Sequence, residues 1–409
     1  MKVVCRVPAR GEVALDALLD ELTAAPGGRP YADDVLALCG AFAQRLMTDP
    51  MARAHPELMT LGFFMRPAEL TRMKRDFEAA ARPDVVRVPQ GLVFHVPPAN
   101  VDTIFMYSWL LAVLAGNANV VRLSSRGSPV VDHLVGLLAA LLARPEHAAV
   151  AQRVAMIQYG HDDAITAAIS QRCALRLVWG GDASVAAIRR APLAPAGRDL
   201  TFADRWSLLA AGAAAVAALD DASVADLAEK VFNDLFWFDQ LGCSSPRLCL
   251  WVGAPADVAA ARARLWPAVA AVVTRRGYQP DVAARLGREL FIHRAVLDGP
   301  VTGRTDFGPA LAVVGVDRLD GLRRDHPGAG LLYEASAPSL AALDGWIARK
   351  DQTLTHVGLA RDELVALVER LGGRGLDRVV PVGQALQMAR FWDGYDLANE
   401  LVRHVHVIA

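Results

Sequence analysis

Apolar positions in the first eighty residues recur at three- and four-residue spacing, in VALDALLDELTAA, DDVLALCGAFAQRLM and PAELTRMKRDFEAAAR. With Pro or Gly breaks between them, these stretches predict helices. From Val85 the rhythm changes. Short apolar runs, GLVFHV, NVVRL, VAMIQY and LRLVWG, alternate with helical stretches: IFMYSWLLAVLAG, the segment from Pro129 to about Leu142, DDAITAAISQ and ASVAAIRRA. Strand–helix alternation of this length predicts a doubly wound parallel sheet. A second apolar system starts near Asp199, where DLTFAD opens it, an Ala-rich helix follows from about Leu208, and SVADLAEKVFNDLFWFDQLG carries a further helix into Cys243. LCLWVG, PALAVVGV, GLLYEA and LTHVGLA then read as strands and LAALDGWIAR as a helix, while the terminal NELVRHVHVIA alternates like an exposed strand, a site for pairing with another chain. The expected organisation is a helical segment over 1–84, a first α/β domain over 85–198, a second over 199–385 and a C-terminal segment over 386–409.

With 409 residues the chain is too long for one ordinary core, and with 53% apolar residues it can fill two. The formal net charge of −1, without basic blocks, removes the electrostatic footprint of a nucleic-acid binder. Five scattered cysteines make neither a disulfide framework nor a zinc-spaced cluster, so no metal is expected and a reducing cytoplasm fits best. The N-terminus has no apolar signal core, and the most hydrophobic tract, Trp206 to Leu219, is shorter than the roughly 20 residues of a membrane helix. The expectation is a cytoplasmic protein without a membrane span.

Two cysteines differ in setting. Cys249 lies in the apolar run RLCLWV and reads as core, whereas Cys243 stands in a Gly-Cys-Ser-Ser-Pro loop between a helix and a strand, where reactive groups are displayed. A thiolate attacking a carbonyl needs an oxyanion donor and a second reactant held beside it. Asn100, in VPPAN after the strand GLVFHV, offers an amide, although read alone the stretch is also an ordinary turn. Arg122, with Ser124 and Ser125, comes at the far end of the strand NVVRL, where doubly wound folds bind ligands; it suits a cofactor ribose or phosphate, or is a solvated surface arginine. Gly180 and Gly181 follow LRLVW at a helix start whose amides can approach a diphosphate. Phe307, in Phe-Gly-Pro before a strand, walls a pocket or fills the core. The histidines, His95 among them, form no defensible pair with a cysteine.

In order and spacing these motifs resemble the aldehyde dehydrogenase superfamily. More closely, VPPANVDTIFMYSWLLAVLAGNANVVRLSS, LVWGGDAS, FADRWS, GCSSP and DRVVPVGQAL…FWDGYDLANEL resemble the fatty acyl-CoA reductase family, known from the aldehyde-supplying subunit of bacterial bioluminescence. The resemblance covers about residues 85 to 409. It implies an α/β fold of two doubly wound parallel-sheet domains with a small C-terminal oligomerisation strand, hence a homo-oligomer. It also implies Cys243 as nucleophile, Asn100 in the oxyanion hole, and Arg122 near the adenosine ribose. By the same resemblance Ser124, Ser125, Gly180 and Gly181 line the cofactor, with Phe307 near the nicotinamide. Where NAD-preferring relatives carry a glutamate for the ribose hydroxyls, this chain has Ser125, which tilts the cofactor to NADPH, with NADH as the alternative. Two further departures stand out. Thr201 occupies the place of a water-activating glutamate, and Thr305, beside Asp306, that of a glutamate contacting the nicotinamide ribose.

The function implied is NADPH-dependent reduction of an acyl thioester to an aldehyde through a Cys243 acyl-enzyme, with coenzyme A or a phosphopantetheine thiol leaving. Without a water-activating base the acyl-enzyme is spared hydrolysis. The alternatives are an aldehyde dehydrogenase releasing free acid and a non-catalytic subunit of an acyl-transfer complex.

Overall fold

The computed structural model describes residues 1–99 and 101–408. The chain divides into two units, Met1–Ala203 with Met388–Ala409, and Asp204–Gln387.

In the first unit the strands β1 (Lys2–Val7), β2 (Gly11–Ala14), β3 (Val85–Pro89), β4 (Leu92–Val96), β5 (Ala118–Leu123), β6 (Val154–Gln158), β7 (Leu175–Trp179) and β8 (Arg198–Phe202) are the sheet-forming elements. All but β3 build one sheet of order β2-β1-β6-β5-β4-β7-β8; β3 pairs antiparallel with Val402–His406. From β6 to β8 the neighbours are parallel. The sheet is buried on both faces, which is why its strands read as near-continuous apolar runs. Val93 of β4 joins one core with the Ile104–Leu114 helix, while Leu92, Phe94 and Val96 join another with Leu15, Leu19 and Ile169. The chain runs from β4 outward to β6 and then returns to the other side of β4 at β7. The carboxyl ends of β4, β5 and β7 therefore meet at a switch point, the usual ligand crevice of an open α/β sheet.

The second unit contains β9 (Trp206–Gly212), β10 (Pro246–Val252), β11 (Val301–Asp306), β12 (Ala312–Val316), β13 (Leu331–Ala337), β14 (Asp351–Val357) and β15 (Arg378–Pro381). Their order is β11-β12-β13-β10-β9-β14-β15, parallel throughout except for β11. Alternation places Trp206, Leu208 and Ala210 in one core and Leu209 and Ala211 in the other. The expected α/β architecture with two parallel-dominated sheets is thus borne out.

Several local expectations need correction. Residues 1–84 are not all helical: Lys2–Ala14 is a hairpin joining the first sheet, because Val3, Cys5 and Val7 bury alternate positions. The Ala-rich stretch from Leu208 is strand β9, followed only by the short helix Ala213–Ala217. A run buried on both sides carries no periodicity to separate the two states. DLTFAD supplies β8, the edge of the first sheet rather than the opening of the second unit. The segment LAALDGWIAR forms only a 3-10 turn at Leu340–Leu343, and edge strand β11 was not foreseen. No single helix among the described residues is long and apolar enough to cross a membrane.

Candidate active site

The approach to Cys243 starts at the Asp221–Phe236 helix, whose N-cap Asp220 accepts from the Ser223 N–H at 2.8 Å. Val224, Leu227, Ala228, Val231 and Leu235 bury its inner face. The helix stops at Phe236, and then Phe238, Asp239 and Gln240 adopt left-handed backbone at φ 54°, 53° and 62°. Such residues cost about 1–3 kcal/mol each and persist only where their surroundings over-determine them. Here they are. The buried Gln240 donates from Nε2 to the carbonyls of Pro246 and Leu331, both at 2.7 Å. The Asp239 carbonyl accepts from Ala329 N–H at 2.9 Å, and its side chain accepts from the Tyr278 hydroxyl at 2.8 Å. Gly328, at φ 74°, permits this approach, since a Cβ there would lie 2.4 Å from the Asp239 carbonyl oxygen.

The strained turn delivers the chain into a tight loop closed by Ser245 N–H on the Gly242 carbonyl at 3.0 Å. Ser207 donates its hydroxyl to the Cys243 carbonyl at 2.7 Å and accepts from Thr353 N–H at 3.2 Å. The Ser244 hydroxyl donates to Gln352 Oε1 at 3.0 Å. Gly242, Ser244, Ser245 and Pro246 are buried, yet Cys243 is exposed. The other four cysteines are buried, and burial pushes the thiol of Cys249 well above the ordinary value. None of the five is in a disulfide.

Four residues after Cys243, Arg247 is 7% exposed. Its Nη1 donates to the Arg205 carbonyl at 3.2 Å. Burial draws this guanidinium below its ordinary value, against the opposing pull of Cys243 and the Asp204 carboxylate. The buried His326 is held well below the usual imidazole range by burial and by Arg247, so it is neutral, with Nδ1 accepting from Gly328 N–H at 3.2 Å. Asp204 pairs with Lys350 at 2.5 Å, and Arg205 pairs with Asp377.

In the first unit, Arg122 is the last residue but one of β5, donating to the Gly160 carbonyl at 3.1 Å and lying over the Tyr159 ring at 4.6 Å. The Ser124 hydroxyl accepts from Arg126 N–H at 3.1 Å, its carbonyl accepts from Gln158 at 2.9 Å, and Ser125 is exposed. Gly180 N–H bonds the Phe202 carbonyl at 3.1 Å. Gly181 is the N-cap of the Asp182–Arg189 helix, with no heavy atom within 4 Å of where a Cβ would stand. Asp182 puts a carboxylate in that first turn, which opposes an anion there. Asn100 lies outside the described residues. Nearby, Ser128 donates to Asp102, tying the loop after β4 to the one after β5.

The first sheet thus gathers Arg122, Ser124, Ser125, Gly180 and Gly181 at the carboxyl ends of β5 and β7. In the second sheet Cys243 and Phe307 instead precede β10 and β12, at amino ends of strands. Phe307 is partly buried against the unit's core, and its N–H bonds the Leu311 carbonyl at 2.9 Å. Thr201 sits in β8 opposite Val178; Thr305 and Asp306 lie exposed on β11, Asp306 accepting from Arg304 at 2.9 Å. His95 bridges Ser108 at 2.8 Å and Asn119 at 3.0 Å, and burial pushes it down to about 4, so it is a neutral core strut. Sequence reasoning missed Arg247 and Gln240. The spacing Gln-x-x-Cys-x-x-x-Arg was visible, but their burial was not.

This fold is that of the aldehyde dehydrogenase superfamily. A mutant 1-pyrroline-5-carboxylate dehydrogenase of Thermus thermophilus matches with TM-score 0.64 at 12% identity, over 99% of this chain and 89% of its own. An NAD-dependent benzaldehyde dehydrogenase of Corynebacterium glutamicum matches with TM-score 0.63 at 13% identity, over 99% and 93%. A mutant proline utilization A of Bradyrhizobium japonicum matches with TM-score 0.62 at 17% identity, over 96% of this chain and 46% of its own. Residues 71–265 match the family model for acyl-CoA reductase (LuxC), and the resemblance read from the motifs is borne out. No curated protein matches the chain.

Proposed function

We propose that this protein reduces an acyl thioester to an aldehyde through an acyl-enzyme on Cys243. The observation that carries the reading is the exposure of Cys243 in a loop whose neighbours are buried and hydrogen-bonded, within the segment that matches the acyl-CoA reductase family. The thiolate sulfur attacks the thioester carbonyl, and the S–C bond to coenzyme A or a phosphopantetheine thiol breaks, that thiol leaving with a proton. The Cys243 N–H stabilises the oxyanion in each tetrahedral state, a role that the family resemblance also gives to the Asn100 amide. A reduced nicotinamide, when bound, would supply the hydride that the acyl carbon accepts. Cys243 then departs as thiolate and the aldehyde is released, so each turnover consumes one reduced cofactor and one proton.

The residues at the switch point fit an adenine dinucleotide. Arg122 stands at a carboxyl strand end stacked on Tyr159, Ser125 leaves room for a ribose 2′-phosphate, and Gly181 leaves open space at a helix start, where Asp182 favours the uncharged parts of the cofactor over its phosphates. These residues would hold NADPH, in a homo-oligomer working in a reducing cytoplasm. Thr201, committed to β8, brings no base to activate water, which favours thioester chemistry over release of free acid.

Intact mass after incubation with an acyl-CoA tests the reading. The wild type gains one acyl group and loses it on addition of NADPH. Loading of a Cys243→Ala variant, or thioester-dependent NADPH oxidation by it, overturns the mechanism; a Cys249→Ala variant retains both.

A further inference from the structure

We propose that Arg247 is the fixed cation that holds Cys243 as a thiolate, a positioning residue acting through the sulfur rather than on substrate. The inference rests on Cys243 being the nucleophile. Its geometric basis is a double clamp. The loop from Cys243 to Arg247 is pinned at both ends to the same three residues before and at the start of β9. Ser207 grips the Cys243 carbonyl at 2.7 Å, and the Arg205 carbonyl takes the Arg247 guanidinium at 3.2 Å. Cys243 and Arg247 therefore cannot drift apart without breaking buried hydrogen bonds.

Besides Cys243, the Asp204 carboxylate also attracts Arg247. On the β9 side Asp204 is paired with Lys350 at 2.5 Å and Arg205 with Asp377, which also takes Arg349 at 2.9 Å. On the β13 side His326 is neutral, and on the β14 side Gln352 is uncharged. Arg247 itself makes no ion pair among the described residues, and its buried Nε has no hydrogen-bond partner there. A buried guanidinium with a neutral acceptor alone is poorly compensated. A Cys243 thiolate, whose charge attracts this guanidinium, adds negative charge beside it, and the same pairing lowers the thiol's affinity for its proton. Lysine would preserve the charge but lose the planar fork.

The test is the pH profile of Cys243 alkylation by iodoacetamide, followed by intact mass on the full-length protein without substrate or cofactor. A Cys243→Ala background corrects for other thiols. Arg247→Gln is expected to move the alkylation midpoint up by about one to two pH units and to slow alkylation at pH 7 by about tenfold or more, with Arg247→Lys recovering most of the shift. A folded Arg247→Gln protein with the wild-type profile overturns the proposal. Should the glutamine variant not fold, Arg247→Met, which fills similar volume without a charge, decides: a raised midpoint is expected, and an unchanged or lowered midpoint overturns the proposal. If Cys243→Ala instead keeps thioester-dependent turnover, the nucleophile assignment has failed while the alkylation shift still reports on Arg247.

Discussion

The hydroxyl of Ser207 at the start of β9 donates to the backbone carbonyl of Cys243 at 2.7 Å, and the same oxygen accepts from Thr353 N–H on β14. One side chain thereby fixes the exposed cysteine to two neighbouring strands. Ser207→Ala leaves the Cys243 carbonyl and the Thr353 N–H unpaired. Leaving buried partners unmade costs about 1–3 kcal/mol. The expected outcome is a lower urea midpoint together with slower acylation of Cys243 in a single-turnover mass assay. Unchanged acylation would show that the clamp does not position the sulfur.

Gly242 precedes the cysteine without room for a side chain. A Cβ there would come within 2.9 Å of Leu386 Cδ2 and 3.3 Å of Ser245 Oγ. Because the nearest atom is the end of a flexible leucine, Gly242→Ala is expected to cost only about 1–2 kcal/mol while displacing the loop and slowing acylation. Leu386→Ala in the same chain makes space. The double variant should regain acylation relative to Gly242→Ala, and a double-mutant cycle of acylation rates measures that coupling.

Leu386 belongs to a turn held from both sides. Asp234 accepts from Gly383 N–H at 2.7 Å and Ala385 N–H at 3.0 Å, while Arg378 donates to the carbonyls of Ala385, Gln384 and Gln387. Burial pushes the Asp234 carboxyl up to about 7, against the two N–H bonds and the Arg378 charge. The folded protein then keeps a proton that the unfolded chain releases above 3.8. The stabilising contribution is full below 3.8 and is lost as pH rises through about 7. At about 1.4 kcal/mol per pH unit its upper bound is roughly 4 kcal/mol. Asp234→Asn cannot ionise, so the difference in Tm between the variant and the wild type should shift in the variant's favour from pH 5 to pH 8. A constant difference across that range contradicts the assignment.

Much of this site was legible in the sequence, and what escaped shares one physical cause. The first sheet could be read because GLVFHV, NVVRL and LRLVWG are short apolar runs bounded by turns, with Arg122 near the end of β5 and Gly180 just after β7. The stretch WSLLAAG could not, since a strand buried on both faces has no alternation to show. Cys243 was visible from its loop. The residues that aim it, Gln240, Ser207, Asp234 and Arg247, were not, because each acts through a partner 6 to 151 residues away or through a charge whose burial only the fold creates.

Cofactor preference offers the last prediction. Arg122 lies over Tyr159 at 4.6 Å with Ser125 exposed three residues on, so the end of β5 carries a cation and no carboxylate at that third position. A ribose 2′-phosphate would find attraction from Arg122 and nothing to repel it at Ser125. Ser125→Glu introduces a charge able to accept from the two ribose hydroxyls of NADH and to repel the phosphate of NADPH. Repulsion of this kind across a partly exposed surface is worth about 1–3 kcal/mol. The ratio of kcat/KM for NADPH over NADH should therefore fall by roughly 10- to 100-fold, mostly through KM for NADPH, with acylation of Cys243 unaffected. Arg122→Ala should lower the same ratio and also flatten the salt dependence of NADPH binding, since the screened attraction is then gone. A ratio that stays put in both variants would move the ribose site away from the end of β5.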